Sequence, residues 1–439
     1  MQKDDLGLPL SGASSRSREL YAVALGNLQR FGGDPVARLN EALELDPHFT
    51  MAHVLKGYLF ALSTDAAATR TAAKIHEAAQ ATSGTERERV HVAALGALTR
   101  GGWHDAGALL QELTTTEPRD ALALQAGHQI DFFTGNAARL RDRIGLAMPH
   151  WHERMPGYHA VLAAHAFGLE ENGDYAAAEK AGRRAVELEP RNGWAQHAVA
   201  HVMEMQCRQR DGIAWMRANP DVWSQESFLQ VHNWWHLALF HFDLGEADEV
   251  LALYDGPIWG NQSKAVLNMV DASAILWRLH LGGIDAGQRW NTLADAWEPA
   301  AGAANYAFND MHAMMAFVGA GRPAAAARLL EAQQSTMRGT SDNAGFTRDV
   351  GHPAAKAIWL FGQGQYREVV ALLKPLSKIA HRFGGSHAQR DVIDLTLIEA
   401  ALRARDGETA AMLAGARKQS RPESPLSHLF ADRAAVLLP

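Results

Sequence analysis

The stretch "HAVLAAHAFGLEENGDYAAAEKAGRRAVELEP", His159 to Pro190, reads as two helices joined by one tight turn. The small Ala166 lets the helices approach, and Gly173 and Tyr175 form the turn. Ala178 and Ala185 sit on the second helix, and Pro190 stops it because proline has no N–H to donate and its ring crowds the preceding turn. The same grammar appears on either side. "EALELDPHFTMAH", "QELTTTEPRDALA" and "RAVELEPRNGWAQ" each end a helix on Asp-Pro or Glu-Pro and begin another. The prolines concerned, Pro47, Pro118 and Pro190, stand about 71 residues apart, twice a period near 35. The turn glycine recurs as Gly101, Gly245, Gly321 and Gly364, in "RGGWHDAGALL", "DLGEADEVLALY", "GAGRPAAAARLL" and "GQGQYREVVALL".

A period near 34 is that of the tetratricopeptide helix-turn-helix, and the resemblance spans most of the chain, with degenerate units such as "CRQRDGIAWM". Such units cannot bury an apolar face alone, so each must pack on its neighbours. The expected fold is therefore all-α: a strongly curved, right-handed superhelix of tetratricopeptide-like repeats. It forms a single α-solenoid over residues 1–439, with residues 1–15 as a flexible or extended N-terminal segment. Composition agrees, since Ala and Leu dominate and Val and Ile are sparse.

Charge and cysteine usage exclude several function classes. Acidic residues outnumber basic ones, 49 to 42, and no Lys/Arg block occurs, which argues against a nucleic-acid partner. One cysteine, Cys207, permits neither an intramolecular disulfide framework nor a cysteine zinc module. Without a signal-like start or an apolar run of about 18 residues, a cytoplasmic chain with no membrane partner is expected.

The chemistry is expected on the first helix of each unit. In "AQHAVAHVMEMQCR", His197, His201 and Glu204 follow at steps of four and three, so they share a helix face. In tetratricopeptide repeats such positions line the concave surface, which by resemblance places all three in the groove. "VHNWWHLALFHFDLGE" adds His232, Trp235 and His236, with Trp234 expected in the core. Further units offer Asp271, then Asp310 and His312, then His352, and finally His387, Arg390 and Asp391. Histidine suits proton transfer near neutral pH and is the commonest metal ligand, so this interior points to chemistry more than to peptide clamping.

The combination of "HAVAHVMEM", "HNWWHLALFHFDLGE", "DASAILWRL" and "GSHAQRDV" in a degenerate repeat array resembles the tetratricopeptide repeat protein 38-like group. The resemblance implies an α-helical repeat fold with a His-rich interior. It implies no reaction.

The preferred reading is a hydrolase- or lyase-type enzyme acting on a small molecule. His201, His232, His236, Asp310, His312 and His387 are its candidate acid–base groups. Trp235, Asp271, His352, Arg390 and Asp391 are its candidate substrate contacts, Arg390 for a carboxylate or phosphate. A divalent metal is the candidate cofactor, with His197, His201 and Glu204 as a facial ligand set and His232 or His236 completing it. Without a metal, Glu204 or Asp310 would fix the tautomer of a histidine base. The alternative is a non-catalytic scaffold that binds a peptide or partner protein in its groove.

Blander readings apply elsewhere. His91, His104, His128 and His428 are expected as surface or hydrogen-bonded core groups. Ser386 is expected as an N-cap, since neighbouring residues rarely aim their side chains at each other as a Ser386–His387 dyad would require. An ion pair through Arg390 or Asp391 competes with their substrate role. "STMRGTSDNAGFTRDVGHP", about residues 335–353, is expected to be a long polar loop that folds inward as a lid and carries Asp349 and His352 over a cavity that His201, His232, Asp310 and His387 also line, the alternative being a disordered surface excursion. His197 and His387 lie some 190 residues apart, so only a tightly curved interior unites them.

Overall fold

The computed structural model describes residues 1–438. It is 74% helical, and the only strands among the described residues are a short antiparallel pair, β1 (Gln2–Lys3) and β2 (Pro9–Leu10). Two compact units divide the chain: residues 1–199 with 219–230, and residues 200–218 with 231 onward. No described helix is long and apolar enough to cross a membrane.

The first unit carries β1, β2 and the helices α1 (Ser15–Arg30), α2 (Pro35–Leu45), α3 (Thr50–Ala61), α4 (Ala66–Gln80), α5 (Glu86–Thr99), α6 (Trp103–Thr116), α7 (Ala121–Phe133), α8 (Ala137–Ala147), α9 (Tyr158–Glu170) and α10 (Tyr175–Leu188). Helix α11 (Gly193–Met205) begins in the first unit and ends in the second, which continues with α12 (Gln209–Ala218). The short α13 (Pro220–Ser224) belongs to the first unit. The second unit then runs through α14 (Gln230–Asp243), α15 (Ala247–Leu253), α16 (Val266–Leu281), α17 (Arg289–Trp297), α18 (Ala307–Gly319), α19 (Pro323–Thr336), α20 (Asp342–Phe346), α21 (His352–Gly362), α22 (Tyr366–Leu373), α23 (His387–Arg403), α24 (Gly407–Ser420) and α25 (Pro425–Ala435). This is an all-α array of tetratricopeptide-like helix-turn-helix repeats.

The local rules account for both kinds of connection. Within a pair, Gly101, Gly173, Gly245, Gly321 and Gly364 all take left-handed backbone, φ from +64° to +83°, where a side chain is disfavoured. Cys207 and Arg405 occupy the same place after α11 and α23, each at φ +57°, which is why those units lack the glycine signature. Between pairs, Asp46, Glu117 and Glu189 leave helical geometry as C-caps because each precedes a proline, which crowds the α conformation of its neighbour.

Within the segment expected to be flexible or extended, residues 2–10 form the small β1–β2 hairpin, and Ser11 just after it ties the chain to α5, its backbone N–H and hydroxyl donating to Glu88 at 2.9 and 2.6 Å. The segment expected as an irregular lid is instead mostly helical: α20 runs into a π-turn, Thr347–Gly351, and directly on to α21. Ser341 caps α20, Phe346 and Val350 are buried one turn apart, and buried Asn343 bridges the backbone of Ala304 and Ala307. These anchors supply what a free polar loop would lack.

Helix α16 is apolar nearly all round, and its residues are buried along almost its whole length, the pattern of a helix enclosed by others. Helix α23 joins it through Trp277 Nε1–H to Thr396 Oγ1 at 3.0 Å and Arg278 to the Ala388 carbonyl at 2.8 Å. The C-terminal helices return to the start of the same unit: Ser424 Oγ–H donates to Asp243 Oδ1 at 2.6 Å, and the Arg421 guanidinium reaches Met205 Sδ at 3.5 Å.

Candidate functional site

Three elements of the second unit meet at one buried cluster. The last turns of α11 bring His201 and Glu204, α14 brings His232, Trp235 and His236, and α16 brings Asp271 and Arg278. The i, i+4 spacing of His232 and His236 puts them on one face of α14, where the rings meet edge to face with centroids 4.9 Å apart. The His201 ring lies 4.5 Å from that of His236. Ring nitrogens of His201, His232 and His236 lie within 4.8 Å of one another. His201 and His236 are fully buried, and the His232 side chain is 14% exposed.

Each α14 histidine is held from behind by a carboxylate. His232 Nδ1 lies 3.0 Å from both oxygens of Asp271, and His236 Nδ1 lies 3.1 Å from Glu204 Oε2. With Nδ1–H donated to a carboxylate, each ring presents Nε2 on its opposite edge. Glu204, expected as a direct metal ligand, thus stands behind His236. Burial pushes its pKa up, against the pull of Arg421, His201 and Arg278. Burial, then the neighbouring His201, His232 and Arg278, hold the His236 imidazole well below its ordinary pKa, so it is neutral near pH 7.

Trp235 is fully buried, stacked on His232 at 5.2 Å, with the Arg278 guanidinium 5.3 Å from its ring centroid. Trp234, expected in the core, is only half-buried. The buried stripe of α14 runs through Val231, Trp235 and Ala238, and Trp234 falls one residue off it. His197, one turn before His201 on α11, belongs to the first unit, where its ring lies on Trp194 at 4.6 Å and Phe167 at 5.3 Å.

Of the remaining candidates, Asp391 lines one small cavity with Glu204 and Arg278. Asp391 pairs with Arg417 through both oxygens, at 2.6 and 3.1 Å, so the ion-pair alternative describes it. Arg390 donates to the Gly385 carbonyl and lies 3.3 Å from Nδ1 of His387, which is exposed at the start of α23. Ser386 caps that helix by accepting from the Gln389 N–H at 3.2 Å. Asp349, expected over the cavity, is 39% exposed and pairs with Arg382 at 3.0 Å. His91 is hydrogen-bonded in the core to Asp120 at 2.9 Å.

Asp310, Gln333 and His352 form a chain: Gln333 Nε2–H donates to Asp310 at 3.3 Å, and its Oε1 lies 3.1 Å from His352 Nδ1. His312 Nδ1–H donates to the Phe308 carbonyl at 2.8 Å, and burial lowers its pKa to about 4. Burial raises the Asp310 carboxyl to about 7. Its ordinary value in the unfolded chain is 3.8, so its contribution to stability is present below about pH 4 and is lost as pH rises through about 7. Asp310→Asn is therefore expected to raise the melting temperature by a few degrees at pH 8 and to leave it nearly unchanged at pH 4. Equal shifts at both pH values would contradict the burial-driven pKa.

Sequence reasoning passed over Arg278, Gln333, Arg417 and Arg421. Arg278 did leave a signal: a lone arginine inside the apolar run "ILWRLHL", seven residues after Asp271 and hence on its face.

No family model matches the chain. Among solved structures, the human IFIT1 dimer with PPP-AAAA is 14% identical, with 94% of each chain covered and a TM-score of 0.42. Yeast Tom70 is 13% identical, with 96% of this chain and 88% of that chain covered and a TM-score of 0.34. Likenesses this weak carry no argument about function, and the fold assignment rests on the helix pairs themselves.

Proposed function

We propose that the second unit binds a small molecule at its buried histidine–carboxylate cluster and transforms it by hydrolase- or lyase-type acid–base chemistry. The observation that carries this reading is the His232–Asp271 pair. A carboxylate accepting from Nδ1–H fixes the tautomer whose Nε2 lone pair takes a proton, and His232 is the cluster histidine with exposed surface. His236 with Glu204 repeats the arrangement one turn on. Membership of the tetratricopeptide repeat protein 38-like group belongs to the same proposal, supported by "HAVAHVMEM" and "HNWWHLALFHFDLGE", the motifs that supply these residues.

The test is a turnover screen of the purified chain against small amides, esters and carboxylic acids. His232→Gln is expected to cut any turnover found by about 10²–10⁴-fold, the usual contribution of a general base, with helicity unchanged. Full turnover in a folded His232→Gln, His236→Gln double variant would sink the proposal. A chain that turns over nothing yet captures defined members of a peptide library would favour the scaffold alternative.

A further inference from the structure

We infer that His201, His232 and His236 bind one divalent transition-metal ion of the zinc class. The inference deepens the reading above and rests on its assignment of the inward-facing imidazole edges. Three independent features support it.

The first is convergence. Tetrahedral zinc with bonds of about 2.0–2.1 Å sets its ligand nitrogens about 3.3 Å apart. Three ring nitrogens, one from each histidine, already lie within 4.8 Å of one another, close to that spacing. The second is what stands behind the rings. A metal-bound imidazole characteristically donates its other N–H to a carboxylate, which fixes the ring and raises its basicity. Asp271 does this for His232 and Glu204 for His236, from two different helices. The third is charge and access. Three imidazoles add no charge of their own, so Asp271 and Glu204 supply the negative charge that a buried dication needs nearby. His232, at the exposed edge, gives the ion a way in, as a fillable site must.

The ligand set therefore shifts from the one expected on helix spacing. Glu204 moves from ligand to positioning residue, and both α14 histidines become ligands. Three imidazoles are also the set that holds catalytic zinc in enzymes where water keeps the fourth position.

The experiment uses the full chain stripped with a chelator, titrated calorimetrically with Zn²⁺ and monitored by visible absorption with Co²⁺. One ion per chain is expected, with the Co²⁺ bands of a low-symmetry site. His201→Ala and His232→Ala are each expected to weaken Zn²⁺ binding by at least about 100-fold, and Asp271→Asn by about 10–100-fold, the usual cost of losing such a partner. Absence of stoichiometric binding by the stripped wild-type chain would overturn the inference. So would unchanged affinity in the two alanine variants. Should His201→Ala lose its helicity, His232→Gln at the exposed edge and Asp271→Asn decide the matter under the same criterion. The readout is binding and the turnover screen reads chemistry, so the two proposals fail separately. Turnover that falls in His232→Gln while the wild-type chain binds no metal leaves the acid–base reading standing. Stoichiometric zinc without turnover leaves the metal site standing.

Discussion

Asp391→Ala is expected to destabilise the protein by about 3–5 kcal/mol, the cost of removing one partner of a buried ion pair and leaving the other uncompensated. Asp391 accepts two hydrogen bonds from Arg417, whose side chain is 7% exposed. Burial alone would raise the Asp391 pKa, but Arg417 and Arg421 outweigh it and hold the carboxyl well below the usual range. The pair therefore stabilises the fold above about pH 4, and its contribution is lost as pH falls through the lowered folded value. Urea unfolding at pH 7 should show a lower midpoint with little change in slope. An Asp391→Leu, Arg417→Met double variant should be less destabilised than Asp391→Ala, because the charge stranded on Arg417 is removed with its partner and only Arg421 still loses a carboxylate neighbour. A cost below about 1 kcal/mol for Asp391→Ala would mean that the pair behaves as a surface salt bridge.

The repeat architecture was legible because it depends on local chemistry. Pro47, Pro118 and Pro190 end helices through the residue before them, and Gly101, Gly173, Gly245, Gly321 and Gly364 turn the chain with positive φ. Neither effect needs knowledge of a distant neighbour. The candidate site was legible only as a set of residues. Helix period could say that His201 and Glu204 share a face, and likewise His232 and His236. It could not say that Glu204 turns to His236 or that Asp271 supports His232, because those partners come from other helices. The lid was misread because "STMRGTSDNAGFTRDVGHP" is polar on average, while Phe346, Val350 and Asn343 tie it to the fold at single points that an average hides. His387 and Asp349 show the same limit: their chemistry is visible in the sequence, but their outward direction is set by the packing of α23 and the π-turn.

Asp120 is expected to be the corresponding weak point of the first unit. Its carboxylate accepts from Arg87 at 2.8 Å, from His91 at 2.9 Å and from the Ala123 N–H at 3.0 Å, where it caps α7. All three side chains are buried. Arg87 also donates to the Pro9 carbonyl at 2.8 Å, so the same guanidinium fastens the N-terminal hairpin. Asp120→Ala removes a cap, worth about 1 kcal/mol, and strands a buried guanidinium, so a total loss of about 3–5 kcal/mol is expected. The loss should not be uniform. Amide exchange in residues 1–11 should accelerate more than in α9 or α10, because the hairpin depends on Arg87 and those helices do not. Burial raises the Asp120 pKa, but His91 and Arg87 bring it well below the usual range, so the stabilisation holds above about pH 4 and fades as pH falls through that lowered value. Asp120→Asn separates the two roles, since the amide oxygen still caps α7 but carries no charge. It should restore the cap and leave most of the Arg87 penalty in place. An Asp120→Asn variant as stable as wild type at pH 7, with unchanged exchange in the hairpin, would show that the cap alone accounts for the residue.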